Sequence, residues 1–304
     1  MKLNNILLIF LLILLCGFSI NKNNIYNHDL KYFSKKIYKK IKGQHIIDNI
    51  DNKIDNKIDN KIDNKIDNIV NSGVNEKINK KINKDRILII TCDNRPELDF
   101  VKLHNKSFEK YIKIHSDVDY KFYTDCGKEN IYWSRLFLIR NLMLQNKYSW
   151  IGWVDSDTMV IDYDFDIKDY LYNKQSTNIH ITIADDNRPY KVGINSGIFF
   201  IKNSEIGFNF IVDVINQYKL NKDCRDLSNN IIGMFAGVCY EQAQMELQIQ
   251  NKYKNNTNII SKNIVICTKD DISYKTDALP FIYHLIATKT QKRNDIFKKL
   301  INKI

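Results

Sequence analysis

Asp155 and Asp157 stand one residue apart, directly after the run Trp150-Ile-Gly-Trp-Val154 and just before Met159 and Val160. Carboxylates resist apolar surroundings unless something pairs with them, so an Asp-Ser-Asp between two apolar runs asks for a partner. A divalent cation is one candidate. Two carboxylates at this spacing offer oxygen ligands suited to Mn²⁺ or Mg²⁺ and leave coordination positions for a diphosphate. On its own the pattern is weak evidence in a chain that is 27% charged. Asp162-Tyr-Asp-Phe-Asp166 repeats it and imitates the start of an EF-hand loop. That loop needs Gly at its sixth position and Glu at its twelfth, where Ile167 and Asn173 stand, so calcium binding of that type is excluded.

The elements around the pair must carry it to a usable place. Residues 86–93 (RILIITCD) have the continuous apolar run of a strand buried on both faces. A helix is expected over 98–114, strands at 120–125 and 150–154, and a helix over 134–146. Further strands are read in 179–185 and 194–204, helices over 206–219 and 240–253, and closing strands in 263–268 and 281–287. Alternating strands and helices predict an α/β domain with a mostly parallel sheet. In such a sheet ligands collect at the carboxyl ends of strands, which is where Asp155 and Asp157 would lie.

The chain of 304 residues carries a net charge of +11, which invites a nucleic-acid reading. Its distribution argues against one. Residues 1–85 hold 16 Lys+Arg against 9 Asp+Glu, and the rest holds 30 against 26, so the basic excess sits outside the presumptive folded body. A nucleic-acid groove needs its basic residues clustered in the folded part. Residues 6–20 (ILLIFLLILLCGFSI) are uncharged and followed by Asn21-Lys22, and the run fits either a cleaved secretory signal or a short retained anchor. Residues 48–69 repeat Ile-Asp-Asn-Lys, whose four-residue period drifts around a helix and makes no steady apolar stripe. The expected plan is a signal or signal-anchor over 1–22, a low-complexity stem over 23–85 and a catalytic domain over 86–304. Six cysteines show no C-x-x-C, so no zinc ribbon is indicated; Cys224 and Cys239 are a possible disulfide pair that spacing alone does not decide. Asn105-Lys-Ser107 and Asn255-Asn-Thr257 are glycosylation sequons that matter only in a secretory lumen.

Beyond the metal motif, four further stretches carry a recognisable pattern. They are YWSRLFLIRNLM (132–143), GINSGIFFIKNSEIGFNFI (193–211), YEQAQ (240–244) and FIYHLIATK (281–289). Together with WIGWVDSDTMV, in this order, they resemble the metal-dependent, nucleotide-sugar-using glycosyltransferases of the GT-A fold. More narrowly they resemble the α-galactosyl, α-mannosyl and α-xylosyl transferases of family 34. The resemblance spans most of residues 86–290. It implies a Rossmann-like, mostly parallel sheet flanked by helices, and transfer of a sugar from a nucleoside diphosphate sugar to a glycan, glycoprotein or other hydroxyl acceptor with retention of configuration.

The resemblance also implies roles. Asp155, Asp157 and His284 would bind Mn²⁺ or Mg²⁺. Lys289 would meet the diphosphate and stabilise its charge on departure. Thr91, Asp93, Arg135, Ser156, Asn195 and Gly197 would bind the donor with Asp155, Thr91 and Asp93 toward the nucleoside. Glu241 and Gln242 would face the reacting carbon. Tyr240 stands where the family often has an acid, which bears on the acceptor. Plainer readings exist for several of these: His284 as a satisfied core histidine, Arg135 as a surface ion pair, Asn195 and Gly197 as a turn. Two other functions compete with transfer. A non-catalytic sugar-nucleotide binding protein would share the fold, and a two-metal phosphatase or nuclease would need more clustered carboxylates than surround His284. The expected location is a single-pass type II membrane protein facing an ER- or Golgi-like lumen, or a secreted protein if the signal is cleaved, with no nucleic-acid partner.

If residues 1–85 serve placement only, a chain beginning near residue 80 should stay soluble and fold. Its circular-dichroism melting curve is expected to match that of the full chain, and loss of cooperative melting would place the stem inside the domain.

Overall fold

The computed structural model describes residues 86–302, except residues 128, 187–192, 221, 227–229, 234–235 and 270–278. The expected signal or anchor over 1–22 and the stem over 23–85 lie outside the described residues. Among those described, no helix is long and apolar enough to cross a membrane.

Six strands form the main sheet: β1 (Ile87–Cys92), β2 (Val118–Tyr123), β3 (Trp150–Val154), β5 (Ile181–Asp185), β6 (Ile194–Lys202) and β7 (Thr257–Ile260). Their order is β2-β1-β3-β6-β5-β7. The β1–β2, β1–β3 and β5–β7 pairings are parallel, and β6 runs antiparallel to both its neighbours. A smaller sheet, ordered β4-β9-β8, is built from β4 (Thr158–Val160), β8 (Val265–Thr268) and β9 (Ile282–Leu285). Every residue of β3 is buried, as the unbroken apolar run requires.

Helices cover both faces. They are α1 (Asp99–Ile114), α2 (Ile131–Leu144), α3 (Ile167–Tyr172), α4 (Glu205–Leu220), α5 (Glu241–Gln248) and α6 (Thr290–Ile301). One apolar cluster joins Leu88, Ile90, Ile151 and Phe199 to Trp133, Leu136 and Ile139 of α2, Phe210 and Val214 of α4, and Met245 of α5. The opposite face packs Ile87, Ile89, Trp150, Val154 and Phe200 on Phe108 and Tyr111 of α1. A third cluster closes the small sheet, with Met159, Tyr283 and Leu285 against Phe100 of α1 and Phe297 of α6.

The α/β reading holds, with elements that the pattern did not show. β4 and β7 are too short to register as alternation. Helix α6 is polar over its first half and buries Ile296, Phe297 and Leu300 in its second. The helix expected over 240–253 stays α-helical to Gln248 and then widens into a π-turn over Ile249–Tyr253. Cys224 and Cys239 do form a disulfide, and Cys92 and Cys126 form a second one that was not foreseen. Cys267 is the free cysteine among the described residues, and it is buried.

Gly152, at the centre of β3, lies directly opposite Phe200 of β6. A Cβ there would run into the edge of the Phe200 ring, with ring carbon Cζ at 3.3 Å and two others closer still. The missing side chain makes room for an aromatic ring in the middle of the sheet. Gly152→Ala is therefore expected to destabilise the fold by about 1–3 kcal/mol, as overpacking of a dense core does. Urea denaturation checks this; an unchanged midpoint would mean that Phe200 has another place to go.

Candidate metal and donor site

The site is assembled where β3 ends. Asp155 donates its backbone N–H to the Gly197 carbonyl of β6 at 2.8 Å. Thr158 pairs with His284 in the antiparallel β4–β9 register, and Leu285 donates its N–H to the Asp157 carbonyl at 2.9 Å. The two sheets thus bring Asp155, Asp157 and His284 together, with one ligand atom from each lying within 4.8 Å of the others. His284 Nε2 is 3.1 Å from Asp157 Oδ1. Gly197 lies beneath the group: a Cβ there would stand 2.8 Å from Asp155 Oδ2 and closer still to His284 Cε1. Only glycine leaves that space open. The donor set of two carboxylates and an imidazole suits Mn²⁺, and three single-atom ligands leave positions for other oxygens.

Beneath the acids lies Arg135 of α2, buried and turned to protein groups. Its NH1 donates to the Ser196 carbonyl at 2.9 Å and lies 3.2 Å from Asp155 Oδ1 and 3.7 Å from Glu241 Oε1. The guanidinium also sits over the Trp153 ring, 5.0 Å from its centroid. Arg135 thus holds Asp155, Ser196 and Glu241 together, while its Nε is buried without a hydrogen-bond partner. Glu241, at the start of α5, accepts from Ser196 Oγ at 3.0 Å, and its Oε2 is buried with no hydrogen-bond partner. Gln242 Oε1 accepts from the Ser196 N–H at 3.2 Å. Asn195 and Gly197 lie buried within β6 and not in a surface turn, and Asn195 Oδ1 accepts from the Gly197 N–H at 2.9 Å.

Thr91 needs correction. It is fully buried, its hydroxyl donating to the Val154 carbonyl at 2.9 Å and meeting His104 Nε2 at 2.9 Å. Such a hydroxyl is not presented to a ligand. It braces β1 against β3, and His104, whose Nδ1 reaches the Thr158 carbonyl, is pushed down by burial to about 4 and so stays neutral. Asp93 is nearly as buried. Its carboxylate accepts from Arg95 Nε and NH2, at 2.9 and 2.8 Å, and from Ser156 Oγ at 2.5 Å. Asp93 and Ser156 therefore meet each other beside the metal motif. Lys289 is exposed and caps the start of α6.

Three contributors escaped the sequence reading. Arg293, one turn after Lys289 on α6, donates from NH2 to Asp157 Oδ2 at 2.9 Å. Trp153, in the apolar run that precedes the acids, is buried in the core and also donates from Nε1 to Asp155 Oδ1 at 2.7 Å. Ser196 ties Arg135, Glu241 and Gln242 together. No local signal marked Arg293, which reads as one more charge on a polar helix. Cys267 Sγ lies 3.6 Å from His284 Nδ1, on the far side of the imidazole.

Burial and charge work against each other here. For Asp155, burial pushes the carboxyl up against the pull of Arg135. For Asp157, burial acts in the same sense but His284 and Arg293 outweigh it and hold the carboxyl below its usual range. Burial would lower His284, yet Asp157 at hydrogen-bonding distance holds the imidazolium well above its ordinary value. Glu241 is raised, by burial foremost.

Residues 67–186 match the family described as galactosyl transferase GMA12/MNN10. This chain is similar to family 34. Galactomannan galactosyltransferase 1 of Cyamopsis tetragonoloba is 28% identical over 139 residues, which are 42% of this chain and 32% of that protein. The probable xyloglucan 6-xylosyltransferase 5 of Arabidopsis thaliana is 30% identical over 133 residues, 40% of this chain and 29% of that one. The chain thus spans less than a third of the length of these curated relatives. Among solved structures, a glycosyltransferase involved in glycosylation of the major capsid of PBCV-1 superposes with a TM-score of 0.52 at 16% identity, over 70% of this chain and 99% of that chain. The fold is the GT-A fold, as expected from the sequence.

The His284–Asp157 pair gives metal-free protein a defined pH response. His284 is raised in the folded state, so its stabilisation is complete below its unfolded pKa of about 6.5 and is lost as pH rises through the raised value. Asp157 is lowered, so its own contribution holds above about pH 4 and fades as pH falls further. In chelator, the melting temperature should fall as pH rises above neutrality. His284→Gln should remove that part of the slope, and identical slopes in the two proteins would show that the pair does not form.

Proposed function

We propose that this chain is a metal-dependent retaining glycosyltransferase that moves a hexose or pentose from a nucleoside diphosphate sugar to a hydroxyl of a glycan or glycoprotein. The observation that carries the reading is the convergence of Asp155, Asp157 and His284 over Gly197 at the carboxyl end of β3, where a side chain at 197 would fill the space. The galactosyl- and xylosyltransferase names of the relatives support this substrate class. They supply no donor identity for this chain.

Asp155, Asp157 and His284 would hold Mn²⁺ or Mg²⁺, whose charge neutralises a bound diphosphate. Lys289, at the exposed start of α6, is assigned to the diphosphate, where its ammonium meets the negative charge that grows as the glycosidic bond breaks. Asn195 and Gly197 would line the sugar, the glycine permitting close backbone approach. Glu241 and Gln242, anchored through Ser196, would present oxygens toward the electron-poor anomeric carbon. Asp93 and Ser156 form the nucleoside side. Thr91 and Arg135 act through packing and positioning. The two disulfides fit an oxidising compartment, and with the apolar run at 6–20 they support a tether or signal directing the domain to a secretory lumen.

The test is a screen of nucleoside diphosphate sugars with the full chain and Mn²⁺, scored by released nucleoside diphosphate. Wild type should hydrolyse one donor class. Asp155→Ala should abolish the reaction, and Lys289→Ala should lower turnover about a hundredfold or more with a smaller loss of donor affinity. Lys289→Ala that raises only the donor KM would mean uniform binding and no help to the leaving group. Donor binding without turnover would favour a binding protein. An inverted product anomer would remove the retaining assignment.

A further inference from the structure

His284 has two ring nitrogens, and the structure gives each a partner. Nε2 lies 3.1 Å from Asp157 Oδ1, on the side of the metal-facing acids. Nδ1, on the far side of the ring, lies 3.6 Å from Cys267 Sγ. The contact is built into the small sheet, because Cys267 of β8 and His284 of β9 are direct partners in the parallel β8–β9 register. Both are buried, at 7% and 3% exposure. A buried free cysteine is by default a small apolar filler, and Cys267 does pack with Val265, Phe281 and Ile282. Packing alone does not account for a sulfur set against a ring nitrogen of a candidate ligand.

We propose that Cys267 is a positioning residue for His284, its sulfur accepting the Nδ1–H and keeping the ring turned so that Nε2 faces Asp157 and the space over Gly197. The inference rests on the metal-site reading above. An imidazolium has two donors, so Nδ1–H gives to sulfur while Nε2–H gives to Asp157. An imidazole that ligates through Nε2 has lost that proton and keeps the one on Nδ1, which still needs an acceptor in a buried place. The same sulfur serves both states without moving. A valine at this position would suit a strand and fill similar volume, yet it would leave the Nδ1–H unsatisfied in the orientation that presents Nε2 to the acids. That penalty falls on the ring orientation and not on the strand, which separates positioning from packing.

The full-length chain would be titrated with Mn²⁺ by electron paramagnetic resonance. Cys267→Val should weaken Mn²⁺ binding by about tenfold, the lower end of what removing a partner behind a ligating histidine costs. Cys267→Thr, of the same shape but with a hydroxyl that can accept, should recover most of that loss. A packing role predicts the reverse order, since a hydroxyl buried without a partner costs stability. Cys267→Thr that binds Mn²⁺ no more tightly than Cys267→Val overturns the proposal and leaves the metal site standing. If the variants do not fold, wild type carries the test. With ¹⁵N-labelled histidine, the metal-free protein below neutral pH should show a His284 Nδ1–H resonance protected from exchange with water, assigned by its loss in His284→Gln. Rapid exchange at Nδ1 beside a protected Nε2–H overturns the proposal. Failure of wild type to bind Mn²⁺ overturns the metal-site reading, and the proposal with it.

Discussion

Two carboxylates at the end of a fully buried strand are the constraint on which the site depends. Strand β3 has no exposed residue, and Asp155 and Asp157 follow it directly. Their desolvation must be offset or the strand could not end there. Arg135, Arg293 and His284 offset it around these two, as Arg95 does for Asp93. Four acids, Asp93, Asp155, Asp157 and Glu241, thereby meet three arginines and a protonated imidazole, and the formal charges cancel. On the proposed function, a divalent cation would expel the His284 proton. The formal balance would then become one positive charge, with Lys289 adding another close by in the chain. A site formally neutral when empty would become an anion receptor only when loaded, which would couple metal binding to diphosphate binding.

The sheet topology supplies this arrangement. Because β6 runs antiparallel to β3, the Asn195-Ser-Gly197 segment at its start lies beside the end of β3, where Asp155 is. A parallel strand in that position would place its carboxyl end there. The single reversal thus brings Ser196 and Gly197 to the acids, and Ser196 extends the network to Glu241 and Gln242 on α5. The small sheet supplies the rest, since the β4–β9 register fixes His284 against Thr158, next to Asp157. Gly197 is where these contributions converge, and it works by having no side chain.

Sequence made some of this legible and hid the rest for physical reasons. Asp155, Asp157 and His284 could be named because ligand chemistry restricts residue type and because their neighbours carry a family pattern. Arg293 could not, since a lone arginine on a polar helix looks like any solvated charge until α6 is seen to pack against α1. Thr91 and Arg135 stand in the neighbourhood the sequence pointed to, and both are buried against protein groups; burial of a single polar residue leaves no periodic trace. Trp153 serves core and site together, because an indole can fill a core and still donate from its edge. Pairing of Cys92 with Cys126 depends on the parallel β1–β2 register, which is a long-range fact.

The two sides of the site stand on different ground. The matched stretch ends at Asp186, so it contains Arg135, Asp155 and Asp157, while Glu241 and Gln242 are brought to them by the fold. On that second side stands Tyr240, just before α5. Its ring lies 5.0 Å from that of Tyr132, which is three residues before Arg135 on α2. The segment leading to it is fixed by the Cys224–Cys239 disulfide and by Trp133 Nε1 donating to the Cys239 carbonyl at 3.2 Å. The two rings meet edge to face, at an interplanar angle of 69°. On the metal side, Asp155 meets Trp153 and Arg135, and Asp157 meets His284 and Arg293. The two sides are joined through Arg135, which lies 3.2 Å from Asp155 Oδ1 and 3.7 Å from Glu241 Oε1, so a change of charge at the start of α5 reaches the carboxylates at the end of β3.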